Sequence, residues 1–263
     1  MSSKVSLKTR LEIERLRMSA EALERVLAEL SQIIGDGVTT GDVEHVARLA
    51  LSRHGLEGIL QGFDGYPAVI CASVNNVAVH GIPGNYTLKE GDLVTIDLSA
   101  DRSGFKADAA WTYAVGRIGP DQKRLIRGAW RATIAGARAA RAGKRVGDIG
   151  AAIVSEARKH GCAVVPELIG HGIGSELHEG PAVPHVGDAG CGEPILPGMV
   201  LNIEPVLTLG SGAVTLLNDG WSYITSDGSL SAQYEVTVAV HTDHTDILTL
   251  GRLGEDDLRH PPY

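Results

Sequence analysis

The sequence predicts an α+β fold of two related halves, each a helix pair followed by hairpin-forming strands, with helices covering one side of an antiparallel sheet. Three observations predict it. "GDVEHVARLALSRHG" (41–55) aligns with "GDIGAAIVSEARKHG" (147–161), both opening Gly-Asp-β-branched and closing His-Gly. "EGDLVTIDL" (90–98) aligns with "PGMVLNIEP" (197–205), which puts Glu204 where Asp97 stands. Turn residues, not crossover helices, punctuate the strand runs, and that favours antiparallel pairing.

The elements follow in chain order. Helical spacing of apolar residues runs over about Leu7 to Ile34 and again over 41–55, where Gly55 is a natural stop. In "TIDLSADRSGFKADAAW" (95–111), a turn centred on Arg102 and Ser103 sets Asp97 directly opposite Asp108. Val94, Ile96, Leu98, Ala107, Ala109 and Trp111 then share one apolar face, and both aspartates share the other. Two like charges facing each other repel and destabilise a hairpin, so a compensating charge is expected. A second helix pair spans about Asp121 to Ala142 and 147–161, closed by Gly161. The chain reads as one catalytic domain over 1–263, with pseudo-repeat halves of about 7–118 and 119–250 that meet at a cleft.

Charge and composition narrow the function. Lys plus Arg is 24 against 32 for Asp plus Glu, a net −8, and no basic block is long enough to read as a nucleic-acid or membrane patch. Three widely spaced cysteines without a CxxC pair suit a reducing compartment. The amino terminus lacks the apolar core of a signal peptide, and no run of residues is apolar enough to span a membrane. A cytoplasmic, monomeric globular protein is expected.

Asp97, Asp108, Glu204 and Glu235 all interrupt apolar strand patterns, where a carboxylate is expensive unless paired or metal-bound. With His171 from "GHGIGSELHEGPAVPH" (170–185) they form a set too negative for one divalent ion. Two ions about 3.5–4 Å apart fit better. Oxygen-rich ligation with one imidazole suits Mn, Fe, Co or Zn, and the absence of cysteine from the set points to an open, catalytic site. Gly170, Gly172 and Gly174 read as a loop that lets backbone approach a ligand closely. His80, before a Gly-Ile-Pro turn, can face the cleft, and His185 suits a supporting position.

"GYPAVICASVNNVAVHGIP", "TIDLSADRSGFKADAAWTYAVG", "GHGIGSELHEGPAVPH", "LNIEPV" and "NDGWSYITSDGSLSAQYE" occur in this order. Together they resemble the type I methionine aminopeptidases, hydrolases of the pita-bread fold, over about Leu7 to Leu250. The resemblance implies removal of the initiator methionine from peptide and nascent-protein amino termini when the second residue is small, with the ribosome a candidate setting. It assigns Asp97 to one metal, His171 and Glu204 to the other, and Asp108 and Glu235 to both. Glu204 would also carry a proton, His178 would bind the scissile carbonyl, and His80 the scissile amide nitrogen. Phe63, Tyr66, Cys71, Leu177, Val206, Trp221 and Gln233 fall where the family forms its methionine pocket. The chain departs from the common family pattern at Asp64, Leu177, Val206 and Val236, and the smaller Leu177 and Val206 imply a loosened pocket. The same fold serves proline-specific aminopeptidases and dipeptidases, which usually carry a large amino-terminal domain. Type II methionine aminopeptidases carry an extra helical insert, for which the stretch between Glu179 and Glu235 is short. A non-catalytic binding module would be expected to have lost ligands.

Overall fold

The computed structural model describes residues 4–250 and Pro261; the rest of the 1–263 span lies outside the described residues. Four α-helices occur among them, α1 (Arg10–Leu30), α2 (Thr40–Arg53), α3 (Pro120–Ala139) and α4 (Val146–Lys159). Each falls inside or beside its expected stretch. Helix α1 starts late because Thr9 and Glu12 form a capping box, satisfying two amide donors that a longer helix would leave free. Thr39 and Asp42 do the same for α2. Pro120 opens α3, and Gly55 and Gly161, at φ 67° and 63°, follow α2 and α4. Residues of all four helices, Leu27, Val43, Trp130 and Ile153 among them, enter one core with Ile96 and Trp111 of the hairpin.

Among the described residues every ladder between strands is antiparallel. The longest joins Leu93–Arg102 to Phe105–Ala114, and α1 packs on it. Its register differs from the expected one. Ser103 and Gly104 form the two-residue turn, at φ 54° and 85°, a geometry that matches the twist of the flanking strands. Asp97 therefore pairs with Ala110, and Asp108 with Ser99. The turn moves by one residue, so pairing moves by two and every side chain keeps its face. The two aspartates are diagonal neighbours on one face, and Ser99 donates to Asp108 Oδ1 at 2.7 Å.

Glu204 and Glu235 also differ from expectation, because neither lies inside a strand. Strands Val200–Ile203 and Val206–Thr208 pair with Val236–Val240 and Ser231–Gln233 in one continuous register, Ile203 opposite Val236 and Val206 opposite Gln233. Glu204-Pro205 and Tyr234-Glu235 are the interruption between the two ladders. Pro205 has no amide hydrogen and restricts the residue before it, so the ladder breaks there. The same register count sets Glu204 opposite Glu235. The Glu235 amide instead donates to the Ala110 carbonyl at 2.8 Å, tying the interruption to the acid-bearing hairpin.

Of the glycine-rich stretch, Gly170–Gly172 is a short strand, and Gly174 lies in the loop that follows it. A Cβ at Gly170 would overlap the Asn202 carbonyl oxygen, and one at Gly172 the Gly180 carbonyl oxygen. The close approach is thus to the protein's own backbone, which lets strand Glu179–Val183 and strand Val200–Ile203 flank His171 on both sides. No helix among the described residues is long and apolar enough to cross a membrane.

Candidate active site

These elements converge on a cavity of about 320 Å³ lined by Asp97, Asp108, His171, Glu204 and Glu235. Nδ1 of His171 bonds the Gly172 carbonyl at 3.0 Å, which assigns it as donor and turns Nε2 toward the acids. Nε2 lies 3.6 Å from Asp108 Oδ2 and 3.5 Å from Glu204 Oε1. Ligand atoms of Asp108, His171 and Glu235 all lie within 4.8 Å of one another.

Burial and mutual repulsion make this cluster costly on its own. Burial, then the charges of Asp108 and Glu204, raise the Asp97 carboxyl well above its usual range, and the same causes raise Glu235. Glu204 is also raised, by burial and by Asp108. For His171 burial acts downward, but the neighbouring Asp108 and Glu204 carboxylates bring it to about 9. One imidazolium cannot balance four carboxylates, and no Lys or Arg among the described residues lines the cavity.

A divalent cation fits this donor set on three counts. Glu204 Oε1 is buried without a hydrogen-bond partner among the described residues. The 3.5 and 3.6 Å separations exceed hydrogen-bond length, yet they match the edge between two ligand atoms about 2.1 Å from a shared metal, roughly 3.4 Å for a tetrahedron. Oxygen donors with one imidazole are a set for Mn, Fe, Co or Zn.

Supporting contacts hold the acids in place. Asn202 donates to Glu235 Oε1 at 2.9 Å, and Thr237 donates to Asn202 Oδ1. His185, fully buried, bonds the Leu168 carbonyl through Nδ1 at 3.0 Å and accepts the Glu204 amide at Nε2 at 3.2 Å. Burial lowers it to about 3, so it stays neutral and pins the Glu204 backbone. Lys8 and Glu179, both nearly buried, form an ion pair beside His178.

His80 and His178 line the cavity with the acids. His80 adopts φ 58°, a left-handed conformation that costs a non-glycine residue of order 1–3 kcal/mol, and its ring stands edge-on to Trp221 and Tyr223. The His178 ring centroid lies 4.4 Å from His171 and 5.4 Å from Phe63. Burial lowers both imidazoles, with His171 adding to the effect at His178.

Phe63, Tyr66, Cys71, Leu177, Trp221 and Gln233 also line the cavity. Cys71 pairs with Asp97 across the ladder, and burial and that aspartate keep its thiol protonated. Val206 does not join them. It is fully buried in a cluster with Ala78, Val79 and Val165, so its side chain shapes the wall from behind. Leu177 belongs to a buried cluster with Ile13, Leu16, Ile173 and Val200, so its cavity-facing side is backed by packed side chains. Val236 is a buried strand residue opposite Ile203, and Asp64 lies on the cavity rim. Sequence reasoning missed Ser99, Asn202 and the Lys8–Glu179 pair. Ser99 was findable, two residues from Asp97 and hence on its face; Lys8 was not, because its partner is 171 positions away.

Comparison with known proteins places this architecture. Residues 14–242 match the model of metallopeptidase family M24. The methionine aminopeptidase of Clostridium perfringens is 40% identical over 246 residues, covering 94% of this chain and 99% of that one. Methionine aminopeptidase 1 of Bacillus subtilis is 37% identical, covering 92% and 98%. The crystal structure of methionine aminopeptidase from Rickettsia prowazekii superposes with a TM-score of 0.92 at 33% identity, covering 94% of this chain and all of that one. The prolidase of Pyrococcus furiosus shares the fold, at TM-score 0.73 and 21% identity, and this chain covers 65% of it.

Proposed function

We propose a reaction for this chain from the premise that it belongs to metallopeptidase family M24 and, within it, to the methionine aminopeptidases: hydrolytic removal of amino-terminal methionine from peptides and nascent proteins with a small second residue. The observation that carries this reading is the convergence of Asp97, Asp108, His171, Glu204 and Glu235 on the floor of a cavity whose walls hold two neutral imidazoles and an apolar, aromatic recess. We read the chain as a single catalytic domain of the pita-bread fold, working in the cytoplasm on amino termini as they leave the ribosome.

Two divalent ions suit the charge of the floor. Asp97 would hold one, His171 and Glu204 the other, and Asp108 and Glu235 both. Divalent ions held there would supply Lewis-acid polarisation of a carbonyl oxygen and would acidify water toward a pKa of about 7. Glu204, on the cavity floor 3.5 Å from His171 Nε2, is suited to take a proton from the attacking water and pass it to the leaving amine. His178, kept neutral, donates to the scissile carbonyl as negative charge develops on it, and His80 orients the scissile amide. The acidic floor favours the α-amino group of a substrate, which restricts cleavage to a free amino terminus. Phe63, Tyr66, Cys71, Leu177, Trp221 and Gln233 enclose the methionine side chain, with Val206 supporting that wall from behind.

Hydrolysis of Met-Ala-Ser, its N-acetylated form and an Xaa-Pro peptide, with and without added Mn(II), tests the proposal. Cleavage of Met-Ala-Ser alone, stimulated by metal, is expected. Cleavage of the acetylated peptide at a comparable rate would refute recognition of the free amine, and preference for Xaa-Pro would move the chain to the proline-specific branch.

A further inference from the structure

The His178 imidazole, which the proposed reaction needs at the scissile carbonyl, rides on residues 173–178, a stretch that is neither helix nor strand. Among the described residues its ring meets His171 at 4.4 Å and Phe63 at 5.4 Å, both edge-on ring contacts and not hydrogen bonds. The aim of the ring is therefore set by the backbone that carries it. What holds that backbone is the next residue, Glu179. Its Oε1 accepts the Glu176 amide at 3.3 Å, closing the turn on itself, and its Oε2 receives the Lys8 ammonium.

Lys8 comes from the segment ahead of α1 and is fastened on several sides. Its amide donates to the Gly198 carbonyl at 2.7 Å, just before strand Val200–Ile203, and its Nζ also donates to the Ser6 carbonyl at 3.0 Å. The Gly180 amide donates to the Lys4 carbonyl at 3.2 Å, and Val5 forms a parallel bridge with Gly180. Residues 4–8 thus lie as a strap along 179–180. The Lys8 and Glu179 side chains are only 5% and 7% exposed, so water satisfies neither charge and removing one leaves the other uncompensated. A Cβ at Gly174 would fall 2.5 Å from both Glu179 Oε1 and Lys8 Cε, so the loop closes directly onto the pair. At its other end the Gly174 carbonyl accepts the Lys106 amide at 2.9 Å, from the strand that carries Asp108.

We infer that Lys8, through Glu179, is a positioning residue for His178: the amino-terminal strap fixes the backbone that aims this imidazole. The inference rests on the reading of His178 as donor to the scissile carbonyl. Lys8 does not line the cavity, so any effect it has on turnover passes through the loop. A donor used in the transition state acts on kcat more than on KM, and a misplacement of about 1 Å can cost as much as 10²-fold.

The test places Lys8→Met, which keeps side-chain length and removes the charge, and the milder Glu179→Gln in wild-type and His178→Ala backgrounds. Met-Ala-Ser is the substrate, and bound Mn(II) is measured alongside. Each substitution should lower kcat by about tenfold or more, with KM changed by less than about twofold and metal content unchanged. In His178→Ala the same substitutions should cost nothing further, because the residue they aim is gone. Hydrogen exchange at the Glu176 and Gly180 amides reads the strap apart from activity, and both should exchange faster in Lys8→Met. If Lys8→Met does not fold, Glu179→Gln decides on the same readouts. Wild-type kcat or unchanged exchange in a folded variant would overturn the inference, as would equal losses in both backgrounds, the mark of a merely structural pair. A normal kcat in His178→Ala alone would refute the donor role itself, and the inference would fall with it.

Discussion

His185 gives the most quantitative handle on how the site is held. Its imidazole is fully buried and titrates at about 3, against 6.5 when free in the unfolded chain. Over the window between those values the unfolded chain binds the extra proton. Stability from the neutral imidazole is therefore complete above pH 6.5 and is lost as pH falls toward 3. The full gap corresponds to about 5 kcal/mol, and the part between pH 6.5 and 4.5 to roughly 2 kcal/mol.

The total acid response cannot isolate this contribution, because neighbouring groups act with the opposite sign. In metal-stripped chain Asp97, Glu204, Glu235 and His171 are all raised, so their contribution is present at low pH and lost as pH rises through their folded values. A difference measurement removes them. His185→Gln keeps a carbonyl oxygen for the Glu204 amide but cannot titrate. Urea unfolding of chelator-treated wild type and His185→Gln at pH 6.5, 5.5 and 4.5 should show the wild-type advantage shrinking by roughly 2 kcal/mol across the series. Parallel curves would refute the reasoning, because they would mean His185 is not held neutral by burial.

The other predictions concern the proposed chemistry. Asp108→Ala and Glu235→Ala should each leave less than about a tenth of wild-type hydrolysis in Mn(II)-replete buffer, since one lost oxyanion or metal contact costs at least that much; higher activity would remove that residue from the bridging role. His178→Ala should lower kcat by about 10²-fold with metal content intact by elemental analysis, whereas loss of metal would mark His178 as a ligand. For Leu177→Phe, a thioether–aromatic contact offers about 0.3–1.5 kcal/mol, while overpacking the closed cluster around Leu177 costs about 1–3 kcal/mol. The cost is larger, so kcat/KM for Met-Ala-Ser should fall, and a rise of about twofold or more would show that the wall is loose after all.

The same residues show what a sequence can and cannot carry. Helix pairs were legible because capping residues, glycine stops and 3.6-residue periodicity are local, as at Thr9, Thr39, Gly55 and Gly161. The acid face of the hairpin was legible for a different reason: side chains alternate, so the actual turn at Ser103–Gly104 changed the partners of Asp97 and Asp108 without changing their face. The strand at Gly170–Gly172 was hidden because its glycines answer to Asn202 and Gly180, residues distant in sequence whose carbonyls leave no room for a Cβ. Val206 was misplaced by the same limit, since whether a strand residue lines a cavity or backs it depends on what Val165 and Val79 occupy. Glu204 and Glu235 join the two cases. Their acid character and the Pro205 signal are local, but their opposition across a broken ladder exists only once two strands from separate stretches align. That break matters chemically: without a ladder partner, the Glu235 amide donates to the Ala110 carbonyl and so ties the paired glutamates to the hairpin that carries Asp97 and Asp108.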